Sequence, residues 1–453
     1  MKKKRIIAEV AITEMAFPNK GIGRFNGSKV VVKNALPGQT LELALTKKKG
    51  VFHGRVMSVL KPSPMEIPPL CPHFAHCGGC ATQHITYADE LKLKEKMVLK
   101  LFADATIDPV GYDGMVPAPC LTAYRNKMEF SFGDEKLGGA LMLGMRQRNS
   151  FYEVASAEHC NIVDTDFCKI LTCVRDFFRV CGETFYHKKA HTGALRHLVV
   201  RKGFFTGEIL VNLVTTSALI SDLSRLAATL QTLPLKGEIV GILHTQNDAV
   251  ADVVRADVLT ILFGRDYFYE KLLGLTFKIS AFSFFQTNSA GAEKLYETVR
   301  EYLGNPAGKT VFDLYCGTGT IAQIAAQTAK AVVGVELIEE AVRVATENAA
   351  ANGLDNCCFI MGDVLRAVDT LDKSPDVIIL DPPREGVHPK AMPKIIGFGA
   401  PQIIYISCKP SSLTRDLEVF RAHGYTLSAL RLHDMFPRTA HVEAIVLLQR
   451  QDT

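Results

Sequence analysis

The stretch T-V-F-D-L-Y-C-G-T-G-T, residues 310–320, reads as a strand, a glycine-rich turn and the start of a helix. Around it the chain alternates. F-K-I-S-A-F-S-F-F-Q-T-N (277–288) leads into a helix near Ala290 to Leu303. After it come A-V-V-G-V-E (331–336), a helical run to Asn352, C-C-F-I-M-G-D (357–363), D-V-I-I-L-D-P-P-R (376–384) and I-I-Y-I-S-C-K-P (403–410). Further strands are expected near 425–433 and 442–448. This pattern predicts a doubly wound, Rossmann-like α/β domain from about residue 271 onward.

Ile403 to Ile406 are apolar at consecutive positions, as a parallel strand buried on both faces requires. Pro410 stops simple strand continuation. Cys408 then stands at the carboxyl tip of a core strand, where open α/β sheets place their ligands. Lys409 beside it is expected to favour the thiolate. The same cysteine also fits a small buried apolar residue, so the stretch does not decide its role alone.

Gly317-x-Gly319 alone does not choose a cofactor. A dinucleotide fingerprint asks for a third glycine three places on; position 322 is alanine, a tolerated variant, so NAD stays open there. The strand tips favour S-adenosylmethionine. Asp313 can address an amino-acid ammonium, Glu336 the ribose hydroxyls, and Gly362-Asp363 closes the strand beside which adenine would lie. Asp381-Pro382-Pro383 resembles the acidic-Pro-Pro strand tip of nucleic-acid base methyltransferases. Asp363 also fits a plain helix cap.

The 453 residues suffice for several cored domains, and 47% hydrophobic with 22% charged residues is ordinary globular composition. No run is long and apolar enough to span a bilayer, so no membrane partner is expected. Glu9 and Glu14 interrupt the basic, apolar start, which argues against export. The 12 cysteines are then expected to be thiols, ligands or nucleophiles in a reducing, cytoplasmic compartment.

Residues 1–60 carry 12 Lys and Arg against 3 Asp and Glu, while the whole chain has a net charge of +5, so the remainder is slightly acidic. A basic module on a near-neutral body suggests a polyanionic partner. Short apolar runs at 6–12, 30–32, 41–45 and 51–60, with Asn26-Gly27 as a hairpin turn, predict a small barrel of the OB type, similar to the TRAM module of RNA-modifying enzymes. Lys61-Pro62-Ser63-Pro64 through Pro68-Pro69 reads as a linker.

Beyond it, C-P-H-F-A-H-C-G-G-C places Cys71, Cys77 and Cys80 at C-x5-C-x2-C spacing. Three thiolates so close call for a metal, with glycines 78 and 79 letting the chain wrap round it. Spacing leaves zinc and an iron–sulfur cluster open, and leaves the fourth ligand open among Cys120, Cys160, Cys168, Cys173 and Cys181. A helix over Tyr87 to Ala103 is expected to bury Leu91, Val98, Leu99 and Phe102 and to turn its lysines outward. Residues 120–270 read as mixed strands and helices. Y-R-N-K-M-E-F-S-F (124–132) is expected to place Arg125 and Lys127 on one strand face, and a hairpin is expected to turn near Gly203 to Gly207. The divisions are therefore 1–60, 61–270 and 271–453.

With S-F-F-Q-T-N, D-L-Y-C-G-T-G-T, D-P-P-R, I-S-C-K-P and H-V-E in this order, the chain resembles the RNA uridine-C5 methyltransferases, which make 5-methyluridine in tRNA and 23S rRNA. The similarity runs the length of the chain. The cysteine segment and the TRAM-like barrel point to the 23S rRNA branch, with tRNA as the alternative substrate. The resemblance implies a class I S-adenosylmethionine methyltransferase domain. It implies cofactor contacts at Gln286, Tyr315, Glu336 and Asp381, with Thr320 and Asp363 as further ones. It implies Cys408 as nucleophile and Glu443 as general base, with Cys316 a spectator. Cys71, Cys77, Cys80 and Cys160 would hold a [4Fe-4S] cluster in an α+β central domain. The enzyme would be a monomer with RNA as its partner and no obligate protein partner. A thiolate adding at C6 would make C5 of uracil nucleophilic. The base would be flipped out of its stack, with Phe284 or Phe285 as its platform.

Overall fold

In the computed structural model, which describes residues 6–109, 111–150, 152–250, 257–367, 371 and 374–451, Ile403 and Tyr405 face one side of a sheet and Ile404 and Ile406 the other. All four are buried. Side chains alternate along a strand, so a continuous apolar run fits only a strand covered on both faces. One face joins Phe312, Leu314, Val335, Ile378, Leu380, Leu413, Leu417 and Phe420 in a core. The other joins Val311, Val332, Val377, Ile379, Ile321, Ile324 and Ile445 in a second.

This sheet has eight strands. Across it they run Cys357–Met361, Ala331–Glu336, Thr310–Leu314, Val377–Leu380, Gln402–Ser407, Glu443–Arg450, Tyr425–His433 and Tyr112–Val116. The first five are parallel, and Glu443–Arg450 runs antiparallel to both neighbours. The chain moves outward from Thr310–Leu314 on one side and returns at Val377–Leu380 on the other. That reversal opens a crevice at the carboxyl ends of these two strands, the ligand-binding position of such sheets. The strand Tyr112–Val116 pairs with Tyr425–His433 at the edge.

Residues 6–61 form a closed five-stranded barrel of Ile6–Ala16, Lys20–Phe25, Ser28–Lys33, Thr40–Lys48 and Val51–Lys61. Asn26 (φ 48°) and Gly27 (φ 75°) make the tight turn that joins Phe25 to its partner Ser28. Val10, Ile12, Val30, Val32, Leu41, Leu43 and Leu45 fill the interior.

A seven-stranded sheet occupies the middle of the chain, with the helices Thr165–Cys181 and Leu223–Gln231 packed against it. The strand expected at 124–132 begins at Lys127, and the 195–214 hairpin is present as Leu195–Lys202 and Glu208–Thr215. Phe167, Ile170, Leu171, Val174 and Phe178 form the buried stripe of the first helix, which ends on Gly182 at φ 71°.

The helix Tyr87–Asp104 corrects one expectation. Val98 and Phe102 are buried as foreseen, but so is Lys94. Its ammonium stands 2.8 Å from Glu90 and 2.7 Å from Asp434, and an ion so partnered can leave water. Among the described residues no helix is long and apolar enough to cross a membrane.

Candidate active site

Asp313 is the penultimate residue of the buried strand Thr310–Leu314. It is fully buried, and neither carboxylate oxygen has a hydrogen-bond partner. The Ala322 N–H stands near enough to favour the charged form without completing a hydrogen bond, and burial, then Asp381, push the carboxyl up to about 8. The turn that follows needs left-handed backbone at Tyr315 (φ 73°), Gly317 (φ 55°) and Gly319 (φ 72°). At Gly319 an added Cβ would fall 2.5 Å from the Phe359 ring, so only glycine fits.

Glu336 braces this turn: its carboxylate accepts from the N–H groups of Gly317 at 3.1 Å and Ile338 at 2.9 Å. Register explains the grouping. Leu314 pairs with Val335 on one side and Leu380 on the other, so Tyr315, Glu336 and Asp381 emerge at one level. Asp363 lies near the Tyr315 hydroxyl and caps the short helix after it, accepting from Leu365 N–H at 3.0 Å. Thr320 is buried as the first residue of the helix Thr320–Ala326.

Gln286 belongs to the loop before the helix Ser289–Leu303. Asn126 holds this loop, donating to the Gln286 carbonyl at 3.0 Å and to Ser289 Oγ at 2.8 Å. The Gln286 side chain lies beside Tyr296, whose buried hydroxyl also feels Asp381, Asp313 and Glu443. Three carboxylates thus converge on one tyrosine. Of the two candidate platforms, Phe285 is buried in the core, whereas Phe284 is 68% exposed and free to meet a base.

Cys408 and Glu443 come together through an antiparallel pairing. Ser407 pairs with Ala444, so the next residue along, Cys408, faces Glu443. Burial, then Asp381, push Glu443 up to about 8, against the opposing charge of Arg384. Burial pushes Asp381 up to about 7. Cys408 is half-buried; burial, then Glu443 and Asp381, raise its thiol to about 11. The cation beside its sulfur is Arg384, which opposes this rise. The expected help from Lys409 is absent: its ammonium turns to Glu385 at 3.6 Å. Adjacency in sequence failed here because successive side chains at a strand end point apart. Arg384 was visible in D-P-P-R, but no spacing rule tied it to position 408.

Cys71, Cys77, Cys80 and Cys160 line a single cavity of about 200 Å³, together with His73 and His441. Cys120, Cys168 and Cys173 are not part of its wall, and His73 is engaged by the His159 N–H at 3.1 Å. Burial, opposed by Gln83 and reinforced by Cys77 and Cys71, raises Cys80 to about 11; burial raises Cys160 to about 12. Among the described residues no three His, Cys, Asp or Glu side chains are gathered tightly enough for one metal ion. Arg148 clamps the cysteine loop: its guanidinium lies over Phe74 at 4.3 Å and donates to the Phe74 carbonyl at 3.0 Å and the Cys80 carbonyl at 2.5 Å. Nothing in the sequence singled it out.

The chain as a whole is similar to known proteins. The family model described as tRNA (Uracil-5-)-methyltransferase matches residues 205–451. An uncharacterized RNA methyltransferase from Clostridium tetani is 49% identical over 98% of this chain and 98% of its own. Another, from Clostridium acetobutylicum, is 48% identical over 100% of this chain and 99% of its own. The solved Pyrococcus abyssi tRNA (uracil-54, C5)-methyltransferase, in complex with S-adenosyl-L-homocysteine, superposes with a TM-score of 0.77 over 97% of this chain and 100% of its own. At 24% identity that likeness speaks to the fold. The chain belongs to the tRNA (uracil-5-)-methyltransferase family and is an S-adenosylmethionine-dependent RNA (uracil-5-)-methyltransferase.

Proposed function

We propose that the substrate is a uridine of 23S rRNA, with Cys408 as nucleophile and Glu443 as base. The observation that carries this reading is the pairing that sets Cys408 against Glu443 at the strand tips, beside Asp381. S-adenosylmethionine supplies the methyl group as a sulfonium. Cys408 Sγ bonds to C6 of the uracil, and the electron pair of the C5–C6 double bond becomes available at C5. C5 takes the methyl group as the sulfonium's S–CH3 bond breaks, its electron pair stays on that sulfur, and S-adenosylhomocysteine leaves. Glu443 removes the remaining C5 proton, the sulfur–C6 bond breaks, and its electron pair returns to Cys408. Gln286, Tyr315, Glu336, Asp381, Thr320 and Asp363 line the cofactor's course, and Asp313, buried without a partner, offers charge to its ammonium. Phe284 stacks on the flipped base.

The cavity lined by four cysteines suits a [4Fe-4S] cluster. A cuboidal cluster is a body rather than a point, and it spaces its thiolates more widely than one ion does. Four half-buried or buried thiols around one cavity supply the all-thiolate donor set it needs. Its role in this reading is to tie the loop of Cys71 to Cys80 to Cys160 and so shape an RNA surface. The barrel of residues 1–60 serves as a TRAM-like RNA-binding module, 61–270 as the cluster-bearing part and 271–453 as the methyltransferase, acting as a cytoplasmic monomer.

Methyl-labelled cofactor offered with 23S rRNA fragments and with tRNA transcripts tests the substrate. Label in the rRNA, mapped to C5 of uridine and absent with Cys408→Ala, is expected. Label confined to tRNA would move the assignment to that substrate. Iron and sulfide in equal amounts, with broad visible absorbance, are expected of the purified protein; zinc in their place would overturn the cluster.

A further inference from the structure

Arg384 stands where the two halves of the site meet. Its backbone carbonyl accepts from Ser412 Oγ at 2.8 Å, which fixes it against the start of the helix Pro410–Ala422. Its guanidinium stands near enough to the Cys408 sulfur to favour the thiolate. Its Nη2 also lies 3.3 Å from His441 Nδ1. A guanidinium has no acceptor, so His441 Nδ1 must accept and the ring must carry its proton on Nε2. Desolvation of the ring, then Arg384 itself, hold His441 down at about 4, which keeps Nδ1 unprotonated at neutral pH. The residue is placed from two sides: its backbone N–H donates to Thr439 Oγ1 at 3.2 Å, and its ring meets Phe436 edge to face. It lines the cysteine cavity as well.

We propose that Arg384 is a further catalytic residue, set to meet the reacting sulfur, and that His441 is the positioning residue that aims its guanidinium. The charged groups acting on Cys408 are Glu443 and Asp381, both anionic when ionised, and Arg384. Lys409 is turned to Glu385, which leaves Arg384 as the cation that favours the thiolate over the thiol. A planar guanidinium held by the imidazole beside the sulfur also presents its charge in one orientation, which a mobile ammonium would not do. The proposal rests on Cys408 as nucleophile, but its test does not require RNA.

The test is the pH dependence of Cys408 alkylation by iodoacetamide in the full-length protein, followed by mass spectrometry of the peptide that holds this cysteine. Arg384→Met is expected to raise the midpoint by about one pH unit, and to slow alkylation at a fixed pH below it about tenfold. Arg384→Lys should recover part of the shift. His441→Ala should move the midpoint in the same direction by less, and His441→Asn, whose amide oxygen can accept, should recover it. An unchanged midpoint in Arg384→Met, with its thermal transition retained, overturns the proposal. Should that variant not fold, an Arg384→Lys midpoint equal to the wild type's together with an unmoved His441→Ala midpoint overturns it equally. Methyl transfer by the wild type is measured separately, so a failed substrate assignment would leave the alkylation result standing on its own.

Discussion

Lys94 Nζ lies 2.7 Å from Asp434 Oδ1, with both side chains withdrawn from solvent. Lys94 also meets Glu90 at 2.8 Å, and Arg438 donates to Glu90 from its backbone N–H at 2.7 Å and to the Ile85 carbonyl at 3.0 Å. Tyr87 adds a hydrogen bond to Asp434 at 2.9 Å. Two cations and two carboxylates thus join the helix that follows the cysteine loop to the segment that delivers His441 and Glu443. Removing one partner strands a buried charge. Lys94→Met is expected to cost about 3–5 kcal/mol of stability, read as a lowered thermal midpoint and denaturant midpoint. A loss within experimental error would mean that the network is open to water.

Cys408→Ala should abolish methyl transfer while leaving cofactor affinity within about twofold, because the sulfur contributes to the chemical step alone. Retained turnover in this variant would remove the covalent route.

Glu443→Gln should stop the reaction after methylation, since the C5 proton then has no base. A protein–RNA adduct resistant to denaturation is expected on a gel, with turnover down about 10²–10⁴-fold. In the wild type, Glu443 is held up at about 8 by burial and by Asp381, and it must be ionised to act. The kcat/KM for RNA should therefore rise with pH through this region. A rate already flat from pH 6 would show that the base is ionised earlier than its surroundings require.

Asp313 trades stability for binding. Burial, then Asp381, raise it to about 8 from an ordinary value of 3.8. Between these limits the folded chain keeps a proton that the unfolded chain has released. Its contribution is thus fully present below about pH 4, falls as pH rises and levels off above about pH 8. Glu443 and Asp381 act in the same direction. Asp313→Asn should flatten the fall between pH 5 and 8 in thermal melts of the free protein, and should weaken S-adenosylmethionine binding about tenfold in calorimetry. Equal slopes for variant and wild type would assign the pH dependence elsewhere.

Arg148→Ala removes the clamp over Phe74 and the hydrogen bonds to the Phe74 and Cys80 carbonyls. For the proposed cluster, iron content per chain should fall to about half or less, because the loop loses the geometry that presents its thiols together. Undiminished iron with normal visible absorbance would make Arg148 dispensable to the loop.

Much of this was legible in one dimension. A run buried on both faces, as at 403–406, has few homes other than a parallel sheet, and Asn26-Gly27 has few roles other than a tight hairpin turn. The strand tips at 313, 336, 381 and 408 could be read because strand periodicity and topology fix where such tips collect. The Lys94 burial could not, because a lysine on a helix reads as solvent-facing until its partners, Glu90 and the distant Asp434, are both in place. Nor could the edge strand Tyr112–Val116, whose partner Tyr425–His433 lies some three hundred residues away.

Local pattern, then, determined the kind of sheet, the barrel, the cysteine segment and the residues at the strand tips, since each follows from side-chain period, turn chemistry or spacing within a few residues. Tertiary structure alone decided that Arg384 rather than Lys409 lies beside the Cys408 sulfur and that Phe284 rather than Phe285 is open, and it alone set aside Cys120, Cys168 and Cys173, which spacing had left beside the Cys160 that the resemblance named. Each of those outcomes depends on the direction in which a side chain leaves its backbone and on what distant chain packs beside it, and neither is written in the order of neighbours.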